Sequence, residues 1–184
     1  MLPTGCTPST ETCCTDAFAI ADHLLTSVFD ALNGCITEAC GGALVAYVTL
    51  GQGDDAIPNA LTVELDGSQP TPGSVTNSGM AMPIVIARTQ FTVRLRESGW
   101  PMAVAANNGI HPPDPVEQHN AARHAYSHGE LMYRQLLSMR ANRSLVPTTV
   151  HGCLNAVVGP LVPMRPLAGV IGFSATVSVD LPWG

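Results

Sequence analysis

The feature that most constrains the fold is a long stretch of strict alternation, Pro83–Glu97 (PIVIARTQFTVRLRE). From Val85 to Leu95 every second side chain is apolar or β-branched, and from Arg88 onward the intervening side chains are polar or charged. This period of two predicts a half-buried β-strand that is far longer than the usual five or six residues. The polar face contains Arg88, Gln90, Thr92, Arg94 and Arg96, and the opposite face contains Ala87, Thr89, Phe91, Val93 and Leu95.

A second alternating stretch, Gly169–Leu181 (GVIGFSATVSVDL), lies near the end of the chain. Each stretch has one apolar and one polar face, and antiparallel sheets can leave one face in water. We therefore predict that the two strands pair in the centre of one sheet. Their apolar faces supply four of the predicted core residues, Phe91, Val93, Phe173 and Val177.

Two segments show the apolar spacing of amphipathic helices. The first begins at Thr15 or Asp16 and is predicted to end at Asn33-Gly34, with Leu24 among its core residues. The second opens at Asp114 as N-cap, followed by Pro115 at the first helical position and Glu117 in a capping box. Its apolar stripe consists of Ala121, Ala125, Met132, Leu136 and Met139, with His128 in register and Gly129 as a predicted point of close approach.

The remaining segments complete the predicted order of elements. Ala43–Leu50 reads as an interior strand after a loop at Cys35–Gly42, and Leu61–Leu65 reads as the next strand. The Pro- and Gly-rich path Thr148–Leu167 holds one short possible strand, Val150–Val157. The order predicts an α+β fold: a mostly antiparallel four- to five-stranded sheet with two helices packed on one face. Residues 1–14 are predicted to form an extended arm, and residues 15–184 one domain.

The composition restricts the classes of partner. Charged residues make up only 12% of the chain and hydrophobic residues 46%. Typical globular domains have about 25% charged residues. Part of the surface of a chain so poor in charge is expected to be hidden in an obligate oligomer. The net charge of −6 argues against nucleic-acid binding. No apolar run is long enough to span a bilayer, so no membrane partner is expected.

Histidines are the first candidates for chemistry. His119, His124 and His128 lie on the second predicted helix, and the last two share a face at i, i+4, as two zinc ligands would. No Glu follows His124 as in HExxH, and no third ligand has a suggestive spacing. The chain has no nucleophile elbow, Walker loop or GxGxxG motif, and its cysteines form no C-x-x-C pair. We therefore expect no catalytic residue, metal or cofactor, with reduced thiols at Cys35 and Cys40 as the default.

Two features are candidates for protein contacts. Arg88, Arg94 and Arg96 form a basic stripe, which is either an ion-pair seam with an acidic neighbour or a solvated face. The irregular stretch Gly67–Gly79 (GSQPTPGSVTNSG) contains Pro70 and Pro72 and is longer than a hairpin requires. Long irregular loops are usually functional or disordered, so we predict that it docks a neighbouring subunit or another protein.

The order of these pieces resembles a known family. They are the N-terminal helix, the strand IVIARTQFTVRLRE, the helix that opens at Asp114-Pro115, and the closing segment GPLVPMRPLAGVIGFSATVSVDL. Together they resemble the tail terminator (tail completion) proteins of long-tailed phages that infect GC-rich actinobacteria. The similarity covers most of residues 15–184 and is one of pattern and order. The Gly99–His111 stretch and the Cys-rich arm depart from it.

The resemblance implies a structural virion protein and not an enzyme. Such a protein forms a homohexameric ring at the tail-neck junction of the virion and is assembled in the cytoplasm of the bacterial host. Its partners would be the major tail tube protein and the head-tail connector or stopper protein, with DNA passing through the lumen without specific binding. A head-completion or stopper protein of the neck is the alternative within phage structure. A small metal-dependent hydrolase that uses the histidine pair is the alternative from another class.

Overall fold

The protein contains a five-stranded mixed sheet and two long helices, as seen in a computed structural model. The structure describes residues 15–40, 43–51, 57–70, 85–106, 109–150 and 153–183. The elements in chain order are α1 (Thr15–Cys40), β1 (Val45–Leu50), β2 (Ala60–Pro70), β3 (Val85–Ser98), β4 (Val104–Ala106), β5 (Gly109–His111), α2 (Pro115–Ala141), β6 (Asn155–Leu167) and β7 (Val170–Trp183). The sheet order is β1-β2-β3-β7-β6, and β4 and β5 form a separate ribbon. All pairs in the large sheet are antiparallel except β1–β2. The predicted α+β class is confirmed.

The two alternating stretches pair with each other, as their patterns predict. Strands β3 and β7 run antiparallel in one unbroken register, in which Phe91 lies opposite Val177. The connection from β6 to β7 is the two-residue turn Ala168-Gly169, and both residues have positive φ (50° and 78°). This conformation is that of a type I′ hairpin turn, which matches the twist of the strands it joins.

One face of the sheet packs against both helices. Helix α1 contacts β1, β2 and β3, helix α2 contacts β3, β6 and β7, and the helices contact each other. The side chains between them form one hydrophobic cluster. All six residues predicted for the core belong to this cluster and are at most 7% exposed: Leu24, Phe91, Val93, Leu136, Phe173 and Val177. No helix in the described part of the chain is long and apolar enough to cross a membrane.

Helix α2 begins and approaches the sheet as its sequence indicates. The Asp114 carboxylate accepts a hydrogen bond of 2.8 Å from the backbone N–H of Val116. Near the middle of the predicted stripe, Gly129 is buried against the ring of Phe173 on β7. A Cβ atom at position 129 would lie 2.7 Å from two atoms of that ring. The glycine therefore permits the close approach of helix and sheet, at the cost in helix propensity that glycine carries.

We expect Gly129→Ala to lower the free energy of unfolding by about 1–2 kcal/mol. The added methyl group overpacks the contact with Phe173, which typically costs about 1–3 kcal/mol, and the gain in helix propensity offsets up to about 1 kcal/mol of that. Urea denaturation followed by circular dichroism measures the change. Ser127→Ala, at an exposed position of the same helix, should change stability by less than about 0.5 kcal/mol. If Gly129→Ala lowers the free energy of unfolding equally in the parent and in the Phe173→Ala variant, the contact with Phe173 is not the cause of the loss.

Helix α1 and strand β1 differ from the sequence-based predictions. Helix α1 continues through Asn33-Gly34 to Cys40, so the predicted loop at Cys35–Gly42 is mostly helical. Strand β1 lies at an edge of the sheet and not in its interior. An apolar run of strand length does not reveal whether the strand has one neighbour or two.

Strands β2 and β6 are longer than predicted. Residues 67–70 belong to β2 and pair with β3 beyond a register shift at Leu65/Gly67, so they are not part of a loop. Residues 71–79 of the predicted loop lie outside the described residues. The predicted strand Val150–Val157 and the irregular path after it are replaced by β6, which spans thirteen residues despite three prolines. Proline is tolerated on an edge strand, and the register shifts of β6 coincide with Pro160 and Pro166.

Candidate functional site

A buried carboxylate at the end of β3 lies on the face of the sheet that the helices cover. Glu97 continues the apolar series of Phe91, Val93 and Leu95, and its side chain is only 2% exposed. An ionised carboxylate in an apolar environment needs partners to offset its lost hydration. The partners come from helix α2.

Two histidines of α2 face Glu97. The distance from His128 Nδ1 to Glu97 Oε1 is 2.7 Å, and the distance from His124 Nδ1 to Glu97 Oε2 is 3.7 Å. The i, i+4 spacing puts both rings on one side of the helix, with ring centroids 4.5 Å apart. One ligand-type atom from each of the three residues lies within 4.8 Å of the others. We call Glu97, His124 and His128 the Glu–His cluster.

The electrostatics of the Glu–His cluster are dominated by burial. Burial raises the pKa of the Glu97 carboxyl to about 7, although the nearby His124 opposes the rise. Burial also lowers the pKa of the His128 imidazole. Each shift favours the neutral form of its group, and the two side chains share the 2.7 Å hydrogen bond. His124, whose side chain is 45% exposed, is the member that meets solvent.

A cavity of about 620 Å³ opens beside the Glu–His cluster. Glu97 and His124 line it, together with Glu117 and Asn120 from the first turns of α2. The cavity brings two further oxygen-bearing side chains to the same opening and gives water and small solutes access to His124.

The arrangement has two chemical capabilities. A carboxyl group with a pKa near 7 beside an imidazole can move a proton at neutral pH. Two imidazoles and one carboxylate are also a ligand set for zinc. Spacing along the chain did not reveal Glu97 as a third ligand, because 26 residues separate it from His124. The available signal was a charged residue in register with the apolar face of β3.

The predicted arginine stripe lies on the other face of the sheet, away from the Glu–His cluster. Its acidic partners belong to the same chain. Arg88 donates two hydrogen bonds, of 2.8 and 3.0 Å, to Asp180, which lies directly opposite it on β7. These bonds hold the pKa of the Asp180 carboxyl below its usual value. The guanidinium of Arg94 lies 3.1 Å from the buried Glu64 carboxylate on β2.

Arg96 is the most deeply placed arginine of the stripe. It is fully buried and donates a hydrogen bond of 2.9 Å to Thr62 Oγ1. The alternative of a solvated face is therefore wrong for Arg94 and Arg96, since both are engaged within the sheet. Arg88 keeps a side chain that is 46% exposed and can still contact another protein.

The other predicted contact residues are not brought to the Glu–His cluster. Gly67 and Pro70 lie in the exposed end of β2. Pro72 and Gly79 fall outside the described residues, so their prediction as contact residues stays a prediction.

Comparison with known proteins does not assign the chain to a family. No protein-family model matches the sequence. No curated protein matches it either.

Proposed function

We propose that this protein is a structural virion protein that forms a ring on the end of a phage tail tube. In this role the ring ends tube polymerisation and joins the tail to the head connector. The observation that carries the proposal is an apolar groove between α2 and the edge strand β6, on the surface of a chain with very few charges.

The groove has the chemistry of a subunit interface. Its volume is about 600 Å³, and most of its lining is apolar, including Tyr126, Leu161, Pro163 and Phe173. Tyr126 is 53% exposed, so the groove leaves an aromatic side chain in contact with solvent. Contiguous apolar surface of this kind marks protein contacts, and aromatic residues are enriched in them. A chain with 12% charged residues has few charged side chains that could shield this groove from water, so contact with another subunit is the expected way to bury it.

The two edges of the sheet suit a head-to-tail assembly. Strand β6 at one edge is interrupted by prolines, which cannot donate to a neighbouring strand. Strand β1 at the opposite edge has no proline and exposes Val45 and Leu50. Contacts between two different surfaces of identical chains generate rings when the rotation closes. The order β3, α2, β6, hairpin turn and β7 also agrees with the family pattern described above.

We expect the purified full chain to form a ring at micromolar concentration. Light scattering should give a mass of about six times the 19.2 kDa of one chain, and negative-stain images should show rings. Tyr126→Glu should shift the mass toward the monomer, because Tyr126 lines the groove and a carboxylate placed in a dehydrated apolar contact is costly. A stable monomer of the parent chain would reject the proposal.

A matched variant separates the groove from general surface effects. Val116→Glu introduces the same charge at a side chain that is 64% exposed in the first turn of α2, outside the groove. This variant should keep the parental mass. Equal dissociation of both variants would show that added charge, and not the groove, controls assembly.

Two other functions remain as alternatives. A stopper or head-completion protein of the neck would also form a ring. It would bind purified connector and leave the polymerisation of tail tube protein unaffected, whereas a terminator would halt it. A metal-dependent hydrolase is supported by the Glu–His cluster. However, Ala125 follows His124 where the HExxH motif has its general base, and Glu117 in the adjoining cavity would have to take that role.

A further inference from the structure

The end of β3 and the middle of α2 are joined by side chains that metals prefer. We propose that Glu97, His124 and His128 bind one divalent cation of the zinc type. The ion would tie the end of strand β3 to helix α2. The site goes beyond the ring function and does not depend on it.

The distances suit a tetrahedral ion. Zinc bonds to histidine nitrogen and carboxylate oxygen are about 2.0–2.1 Å, so ligand atoms around a tetrahedral ion lie about 3.4 Å apart. The distances from Glu97 oxygens to the Nδ1 atoms of His128 and His124 are 2.7 and 3.7 Å, on either side of that value. All three ligand-type atoms lie within 4.8 Å of one another, compared with about 3.4 Å around a bound ion.

The surroundings favour a cation over a simple hydrogen-bonded cluster. The Glu97 carboxylate is nearly inaccessible to water, and a divalent ion would compensate its charge more fully than a neutral imidazole does. The cluster opens through His124 into the 620 Å³ cavity, which provides an entry path. A water molecule in that cavity can occupy the fourth position. Glu117 and Asn120 line the cavity. The Glu117 carboxylate can accept a hydrogen bond from this water, and the Asn120 amide can accept one from it or donate one to it.

The ligand types select among metals. Two imidazoles and a carboxylate suit Zn²⁺ and its spectroscopic substitute Co²⁺, whereas Mg²⁺ and Ca²⁺ prefer sites made of oxygen ligands. We therefore expect the chain to discriminate strongly against Mg²⁺.

The experiment uses the full-length protein after removal of metals by a chelator. Zinc chloride is added, excess ion is removed by gel filtration, and bound zinc is measured by elemental analysis. The expected result is one zinc per chain, together with a rise in melting temperature that Mg²⁺ does not produce. With Co²⁺, the intense visible absorption of a tetrahedral complex should appear and should vanish when Zn²⁺ is added.

Two histidine variants make the test specific. His124→Ala should lower zinc occupancy at least about tenfold and abolish the Co²⁺ absorption, because a ligand to the ion is lost. It should fold, because His124 is 45% exposed. His119→Ala removes an exposed histidine of the same helix that lines the apolar groove and not the cavity, and it should bind like the parent. Substoichiometric zinc in the parent, or equal binding by parent and His124→Ala, would overturn the proposal.

Discussion

Phe91→Ala is expected to lower the free energy of unfolding by about 3–5 kcal/mol, the usual cost of truncating a buried phenylalanine. Phe91 is fully buried in the middle of the central strand β3. It lies opposite Leu65 on β2 and Val177 on β7. With strands on both sides and helices above, the site has little room to collapse around the missing ring. Urea denaturation at fixed protein concentration measures the change, since the proposed subunit association would add to apparent stability.

Gln90→Ala is the matched control for Phe91→Ala. Gln90 is the adjacent residue of the same strand, and its side chain is exposed on the polar face. Its truncation should change stability by less than about 0.5 kcal/mol. Phe173→Ala, at a site that is 7% exposed, should also cost about 3 kcal/mol or more. Parental melting of both phenylalanine variants would show that the apolar faces of β3 and β7 are not packed as described.

Glu64→Gln is expected to destabilise the fold by about 3 kcal/mol. The substitution keeps the size of the side chain and removes the carboxylate charge that lies 3.1 Å from the Arg94 guanidinium. The Glu64 side chain is fully buried, and that of Arg94 is 17% exposed. Loss of one partner of a buried ion pair costs about 3–5 kcal/mol, and the partial exposure of Arg94 places this site at the low end. Urea midpoints compared with the parent give the value.

A surface ion pair of the same chain provides the control for Glu64→Gln. Glu130 and Arg134 are 2.7 Å apart on α2, with side chains 41% and 73% exposed. Glu130→Gln should therefore cost no more than about 0.5 kcal/mol. Joint replacement of Glu64 and Arg94 by methionines should recover most of the stability lost in Glu64→Gln, because both charges of this pair are then removed together. Similar losses in Glu64→Gln and Glu130→Gln would contradict a special role for burial.

The engagement of the arginines within the sheet changes which surface is expected to form the subunit contact of the proposed ring. Arg94 and Arg96 hold β3 to β2 and have little exposed surface to offer a neighbour. The apolar groove beside β6 is instead the main candidate for the subunit contact, and Arg88 is the member of the stripe that can reach another protein. Burial of Arg94 and Arg96 thus favours an interface formed mainly by apolar packing.

Local patterns in the sequence were sufficient to identify the central strands, the start of α2 and the core. The alternation in β3 and β7 specifies which side chains face the helices, because a strand turns successive side chains to opposite faces. Asp114 and Pro115 specify where α2 begins, because they satisfy or remove its first unpaired N–H groups. The close approach at Gly129 was also predictable, since a glycine in a helical stripe usually has a packing reason.

Strand β6 and the end of α1 could not be predicted in this way. Three prolines in β6 indicate an irregular path if the strand is assumed to have neighbours on both sides. They are compatible with a strand only because β6 lies at an edge, and the position of a strand in the sheet is decided by long-range pairing. The Asn33-Gly34 pair likewise favours a helix stop, yet α1 continues past it. Tertiary context overrides such weak local preferences.

The Glu–His cluster shows where the two kinds of information meet. The sequence by itself determined that His128 lies in the apolar stripe of α2 and that Glu97 lies in register with the apolar face of β3. Only the tertiary structure decided that these two faces pack together, so that Glu97, His124 and His128 converge. The physical reason is that period and spacing specify the direction of a side chain within its own element. The contacts between elements depend on how the whole chain buries its apolar surface.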